Sequence, residues 1–89
     1  MITQVRHYSK KIHDGRTPES IFNHMIGECK ELQDELQNGN TGVDGVSGEV
    51  ADIIACAIDI LLFYDPDITD SEFEDILVSK LIKWKEKYG

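Results

Sequence analysis

The chain has 89 residues, 40% of them hydrophobic, with 17 acidic against 9 basic side chains and a formal charge of −8. That length allows one domain, which buries only roughly 60–65% of its unfolded surface. The negative charge argues against duplex nucleic acid as a partner, because binding a phosphate backbone requires a basic face.

The amino-terminal stretch M-I-T-Q-V-R-H-Y-S-K has no apolar core and no cleavage pattern, so no signal peptide is expected. The longest apolar run is too short and interrupted to span a bilayer, so no membrane partner is expected. Cys29 and Cys56 each fall among apolar residues and read as buried free thiols of a reducing, cytoplasmic compartment.

A first helix is predicted from about Ile2 to His13. Val5, Tyr8 and Ile12 lie on one face, and Gly15 ends it. Thr17 as N-cap and Pro18 in the first turn open a second helix, which continues to about Gln37. Its apolar stripe is Ile21, Phe22, Met25, Cys29, Leu32 and Leu36. Beside it runs a second stripe of His24, Glu28, Glu31 and Glu35.

The segment N-G-N-T-G-V-D-G-V-S-G follows, with glycines at 39, 42, 45 and 48. It reads as a connector or a mobile lid. No G-K-[ST] follows it, so it is not a phosphate-cradling P-loop.

A third helix opens at Ser47 or Gly48 and ends near Tyr64-Asp65-Pro66. From Val50 to Phe63 its only polar residues are Asp52 and Asp59. A helix this apolar all round is normally buried, and a lone small domain has no interior large enough to cover it. A homo-oligomer is therefore expected, with this helix near the subunit interface.

Asp65 to Asp70 invites a calcium-loop reading, which fails: the sixth position is Asp70 instead of glycine and the twelfth is Ile76 instead of glutamate. Thr69 and Glu72 instead fit a capping box for a fourth helix. Phe73, Ile76, Leu77, Leu81, Trp84 and Tyr88 form its core-facing stripe, with Lys80, Lys83 and Lys87 on a neighbouring one. No segment alternates with period two, so no strand is expected. The predicted architecture is all-α: a four-helix bundle-like subunit with an antiparallel central pair across the glycine loop.

The acidic residues carry the chemistry. Glu28 and Glu31 lie about 60° apart in helical projection, and Glu49 and Asp52 repeat that spacing on the next helix. If the two helices pack antiparallel, the pairs face each other. Carboxylates so crowded repel unless a cation sits between them. An all-oxygen set suits Mg²⁺, or Mn²⁺ in its place, over zinc. Such a centre fits phosphate-anhydride chemistry, with the lysine stripe as phosphate contacts. Asp59, polar in apolar surroundings, is a candidate for a substrate or metal role, or for pairing with a lysine or across a dimer interface. His24, one turn before Glu28, is a candidate base or phosphate contact.

The order E-x-x-E, loop, E-x-x-D resembles the MazG-like family of all-α nucleoside triphosphate pyrophosphohydrolases. The matching stretches are Glu28-Cys-Lys-Glu31-Leu32 and Glu49-Val-Ala-Asp52-Ile53-Ile54, and His24 to Leu36 looks like the short phage and bacterial members. The resemblance covers roughly residues 18 to 88, within one domain spanning 1 to 89. It departs at Gly27, where many relatives carry an acid, and at Val78 or Trp84, where some carry asparagine.

What the resemblance implies is Mg²⁺-dependent hydrolysis of (deoxy)nucleoside triphosphates to monophosphate and pyrophosphate by a homodimer or homotetramer. Glu28, Glu31, Glu49 and Asp52 would hold the metal, and a glutamate such as Glu31 or Glu28 would act on the attacking water. Lys80, Lys83 and Lys87 would contact phosphate. The competing expectation is a non-catalytic acidic helical module, or a degenerate relative that binds nucleotide without turnover.

Overall fold

A computed structural model describes residues 1–12 and 15–89. The described residues form four α-helices and no strand: α1 (Ile2–Ser9), α2 (Pro18–Gln37), α3 (Gly45–Tyr64) and α4 (Asp70–Tyr88). None of them is long and apolar enough to cross a membrane.

Two helix starts are fixed by reciprocal side-chain caps. Thr17 accepts from the Ser20 N–H at 3.0 Å, while Ser20 Oγ accepts from the Thr17 N–H at 2.9 Å. Thr69 and Glu72 do the same for α4, both bonds at 3.1 Å. Each cap satisfies donors that a helix start leaves unpaired, a contribution of about 1 kcal/mol.

The other two boundaries differ from the sequence reading. α1 ends at Ser9, after which Lys11 and Ile12 donate to Tyr8 and Ser9 carbonyls in tighter turns. His13, its expected last residue, lies outside the described residues. α3 begins two to three residues early, at Gly45, because Gly45 adopts φ +67° and Asn40 Oδ1 accepts the Val46 N–H at 2.7 Å. The glycine segment is tied back to α2, whose Glu35 Oε2 accepts the Gly42 N–H at 3.1 Å.

α2 and α3 are the most closely packed pair of elements. The covered side of α2 runs through Pro18, Ile21, Met25, Glu28, Leu32 and Glu35, and that of α3 through Val46, Glu49, Ile53, Cys56 and Ile60. Both lines follow the alternating three- and four-residue spacing of a helix–helix seam. The seam therefore lies one residue off the expected apolar stripe of α2. Phe22, Cys29 and Leu36 are exposed on its flank, so Cys29 is not a buried thiol. Glutamates occupy seam positions that a bundle ordinarily gives to leucine.

A second cluster joins the short helix to the rest. Ile2, Ile58 and Ile68 are buried together, with Val5, Leu61, Leu62 and Phe73 packed around them. Polar contacts hold α1 over it. Arg6 donates to the carbonyls of Pro66 and Ile68. Asp70 accepts from the backbone of Ile2 and from Thr3 Oγ1, the latter at 2.6 Å, and so caps α1 from a different helix. The Thr3 hydroxyl, then the Met1 amino group and the Ile2 N–H, hold the Asp70 carboxyl well below the usual range.

Only the start of α4 takes part. Beyond Phe73 its stripe is exposed: Ile76, Leu77 and Leu81 are open, and Trp84 is 65% exposed. The expectation that this stripe faces the chain's own core holds for Phe73 and fails from Ile76 onward, because α4 packs on α1 at its start and then stands clear of α2 and α3.

Ile58 is the α3 residue on which the second cluster closes. Ile58→Ala is expected to cost about 2–4 kcal/mol in urea denaturation, and an unchanged midpoint would contradict this core assignment.

Candidate metal centre

The α2–α3 seam brings the two acidic pairs together. Glu28, Glu31 and Glu49 each offer a carboxylate oxygen within 4.8 Å of the others. Asp44, Glu49 and Asp52 form a second such group with the same limit, so Glu49 belongs to both. All four residues singled out in the sequence thus converge. Asp44, the N-cap of α3, is an addition. Its signal was present only as an acid among turn residues, five positions before Glu49.

Burial makes this arrangement costly. Glu49 is 5% exposed, and the Glu28 side chain 12%. The second oxygen of each, Oε2, is buried without a hydrogen-bond partner among the described residues. An unpartnered buried carboxylate oxygen must be neutralised by a proton or a cation. The carboxyl of Glu49 is pushed up to about 7, by burial first and then by Glu31 and Glu28. That of Glu28 is raised by burial, then by Glu31 and Asp52. The Glu49 carboxyl is therefore partly protonated near pH 7 unless a cation takes the place of that proton. The all-oxygen donor set and the orphaned oxygens fit a hard dication such as Mg²⁺ or Mn²⁺.

The remaining candidates are placed as follows. His24 Nε2 lies 3.2 Å from Glu28 Oε1, so the histidine is positioned to orient that carboxylate. Asp59 is not paired with a lysine: its carboxylate takes hydrogen bonds from both terminal nitrogens of Arg16, with the Nη2–Oδ1 contact at 3.5 Å. Arg16 also donates to the Ser9 carbonyl at 3.3 Å, which closes the end of α1. Sequence reading missed Arg16, because nothing local links it to a residue 43 positions away. Lys80, Lys83 and Lys87 are exposed on the free part of α4 and are not brought to the carboxylates within the chain. Burial, with Glu28, Asp52 and Asp59 nearby, pushes the Cys56 thiol up.

Beside the carboxylates is a cleft of ≈ 580 Å³ between α1, α2 and α3. Tyr8 and Ile12, expected as packing residues, line it together with His24, Asp52, Cys56 and Asp59.

Compared with family models, with curated proteins and with solved structures, the chain matches none.

The raised carboxyl of Glu49 has a definite sign in stability. A folded value above the ordinary 4.5 means that folding takes up a proton. The contribution is full below the unfolded value and is lost as pH rises through about 7. In metal-free buffer, Glu49→Gln is therefore expected to melt several degrees above the parent at pH 8, with the gap closing by pH 5. An equal gap at both pH values, read by thermal denaturation, would contradict it.

Proposed function

We propose that the chain is a Mg²⁺-dependent nucleoside triphosphate pyrophosphohydrolase of the MazG-like kind. One observation carries this reading: the four acids of the E-x-x-E and E-x-x-D pairs converge, and two of them hold buried oxygens with no hydrogen-bond partner among the described residues. A solvated surface cluster would leave its oxygens in water.

In this reading Glu28, Glu31, Glu49 and Asp52 hold the cation, with Asp44 beside them. When bound, the ion neutralises phosphate oxygens and lowers the pKa of a coordinated water. Glu31, the exposed member of the first pair, orients or deprotonates the water that attacks. His24 holds Glu28 in its orientation. The anhydride between the α- and β-phosphates is cleaved, leaving monophosphate and pyrophosphate.

The subunit is completed by assembly. Helices α2 and α3 form the antiparallel centre of a homodimer or homotetramer. The exposed apolar stripe of α4 packs on a second copy and carries Lys80, Lys83 and Lys87 to that copy's phosphates. Exposure of Ile76, Leu81 and Trp84 in a single chain supports this, since a stripe of that size is ordinarily covered. A cytoplasmic nucleotide pool is the setting such an activity requires.

A panel of canonical and modified nucleoside triphosphates with Mg²⁺, scored for pyrophosphate against orthophosphate, tests the reading. Pyrophosphate is the expected product. Glu28→Gln and Asp52→Asn are each expected to lower kcat by about 10²-fold or more, with the helical fold retained. Full activity in both variants, or no turnover of any nucleotide by the parent chain, would contradict the assignment and leave the non-catalytic module.

A further inference from the structure

The cleft beside the carboxylates has an end wall of its own. Its sides are largely apolar, with Val5, Tyr8 and Ile12 from the α1 region and Ala55 from α3. At ≈ 580 Å³ it has the size of a small-molecule site. Asp52 belongs both to this wall and to the carboxylate cluster, so the two spaces are continuous. A ligand anchored by its phosphates at the cluster would extend its other end into the cleft. At the opposite end stands Asp59, seven residues further along α3, a rise of about 10 Å and about the length of a nucleoside.

The Arg16–Asp59 pair also lines a second cleft of ≈ 410 Å³, reached from Arg6, Lys10 and Phe63. It is therefore a partition between two spaces. It brings guanidinium donors and carboxylate acceptors to one end of a slot whose middle is lined by Val5, Tyr8, Ile12 and Ala55 and whose other end holds His24 and Asp52. The pair is half-buried, with Arg16 27% and Asp59 13% exposed at the side chain, so its hydrogen bonds are partly shielded from water.

We propose that this cleft takes a planar heteroaromatic ring, the base of the nucleotide, and that Arg16 and Asp59 determine which bases it accepts. The inference rests on the pyrophosphohydrolase reading for the identity of the ligand. The pair acts in two ways: as an end stop that limits the length of the ring system, and as a hydrogen-bonding edge that sorts rings of equal size.

Nucleosides, which lack phosphates, test it without divalent cation. Titrated into the full chain and followed by amide chemical shifts, they are expected to move Tyr8, Ile12, Ala55 and Cys56 and to leave α4 unmoved. Two double variants avoid stranding a buried charge. Arg16→Ala with Asp59→Ala removes the end stop and is expected to change the purine-to-pyrimidine affinity ratio by about tenfold in favour of purines. Arg16→Met with Asp59→Leu keeps the bulk and is expected to lose discrimination between bases of equal size.

If nucleosides move no cleft amide of the parent chain, or if both double variants keep the parent's ranking of bases, the proposal is overturned. The parent map requires no variant to fold. Nucleosides seated in the cleft of a chain that releases no pyrophosphate would support the cleft assignment and sink the pyrophosphohydrolase reading. Hydrolysis with unchanged base ranking in both variants would do the reverse.

Discussion

Everything in this fold turns on carboxylates placed where a helix pair normally puts leucine. The α2–α3 seam keeps the three-four spacing of apolar packing, yet Glu28 and Glu49 occupy two of its positions. A seam glutamate with an orphaned oxygen weakens the contact that holds the two longest helices together. A proton on Glu49, whose carboxyl is pushed up to about 7 by burial and by Glu31 and Glu28, offsets part of this cost below neutrality. The chain thus gives up apolar packing in its central contact for a set of converging acidic side chains.

The second dependence is on α1, which is short for a wall. It has one fully buried side chain, Ile2, with Val5 packed on the same cluster, and is further held by polar contacts from three directions. Arg6 reaches the turn before α4, Asp70 caps the helix start, and Arg16 closes its end onto Asp59. The cleft lies between this tethered helix and the α2–α3 pair. The electrostatics that build the wall are therefore also those available to a ligand inside it.

Much of this was legible in the residues. The caps at Thr17 and Thr69 follow from local chemistry, and both stand as read. The paired acids were visible because Glu49 and Asp52 open an apolar helix. The seam of α2 lies one residue off the apolar stripe that its sequence suggests, because Phe22, Cys29 and Leu36 are apolar yet face outward. Allowing glutamate on the face would have moved it to Ile21, Met25, Glu28 and Leu32. The stripe on α4 is legible as apolar but not as exposed, since periodicity shows that a face is apolar and not what covers it. Arg16 and Asp44 escaped for a different reason: their partners are distant in sequence or hidden among turn residues, where spacing carries no signal.

The central claim of the proposed function is that a dication is held at one place on an acidic surface, where Glu28 and Glu49 carry buried carboxylate oxygens with no hydrogen-bond partner among the described residues. Paramagnetic broadening of amide resonances by trace Mn²⁺ tests this directly at pH 7.5. The account predicts that signals around Glu28, Glu31, Glu49 and Asp52 vanish first and return on adding excess Mg²⁺. Weak broadening spread evenly over the acidic residues of all four helices, including Glu72, Glu74 and Asp75 of α4, would contradict it.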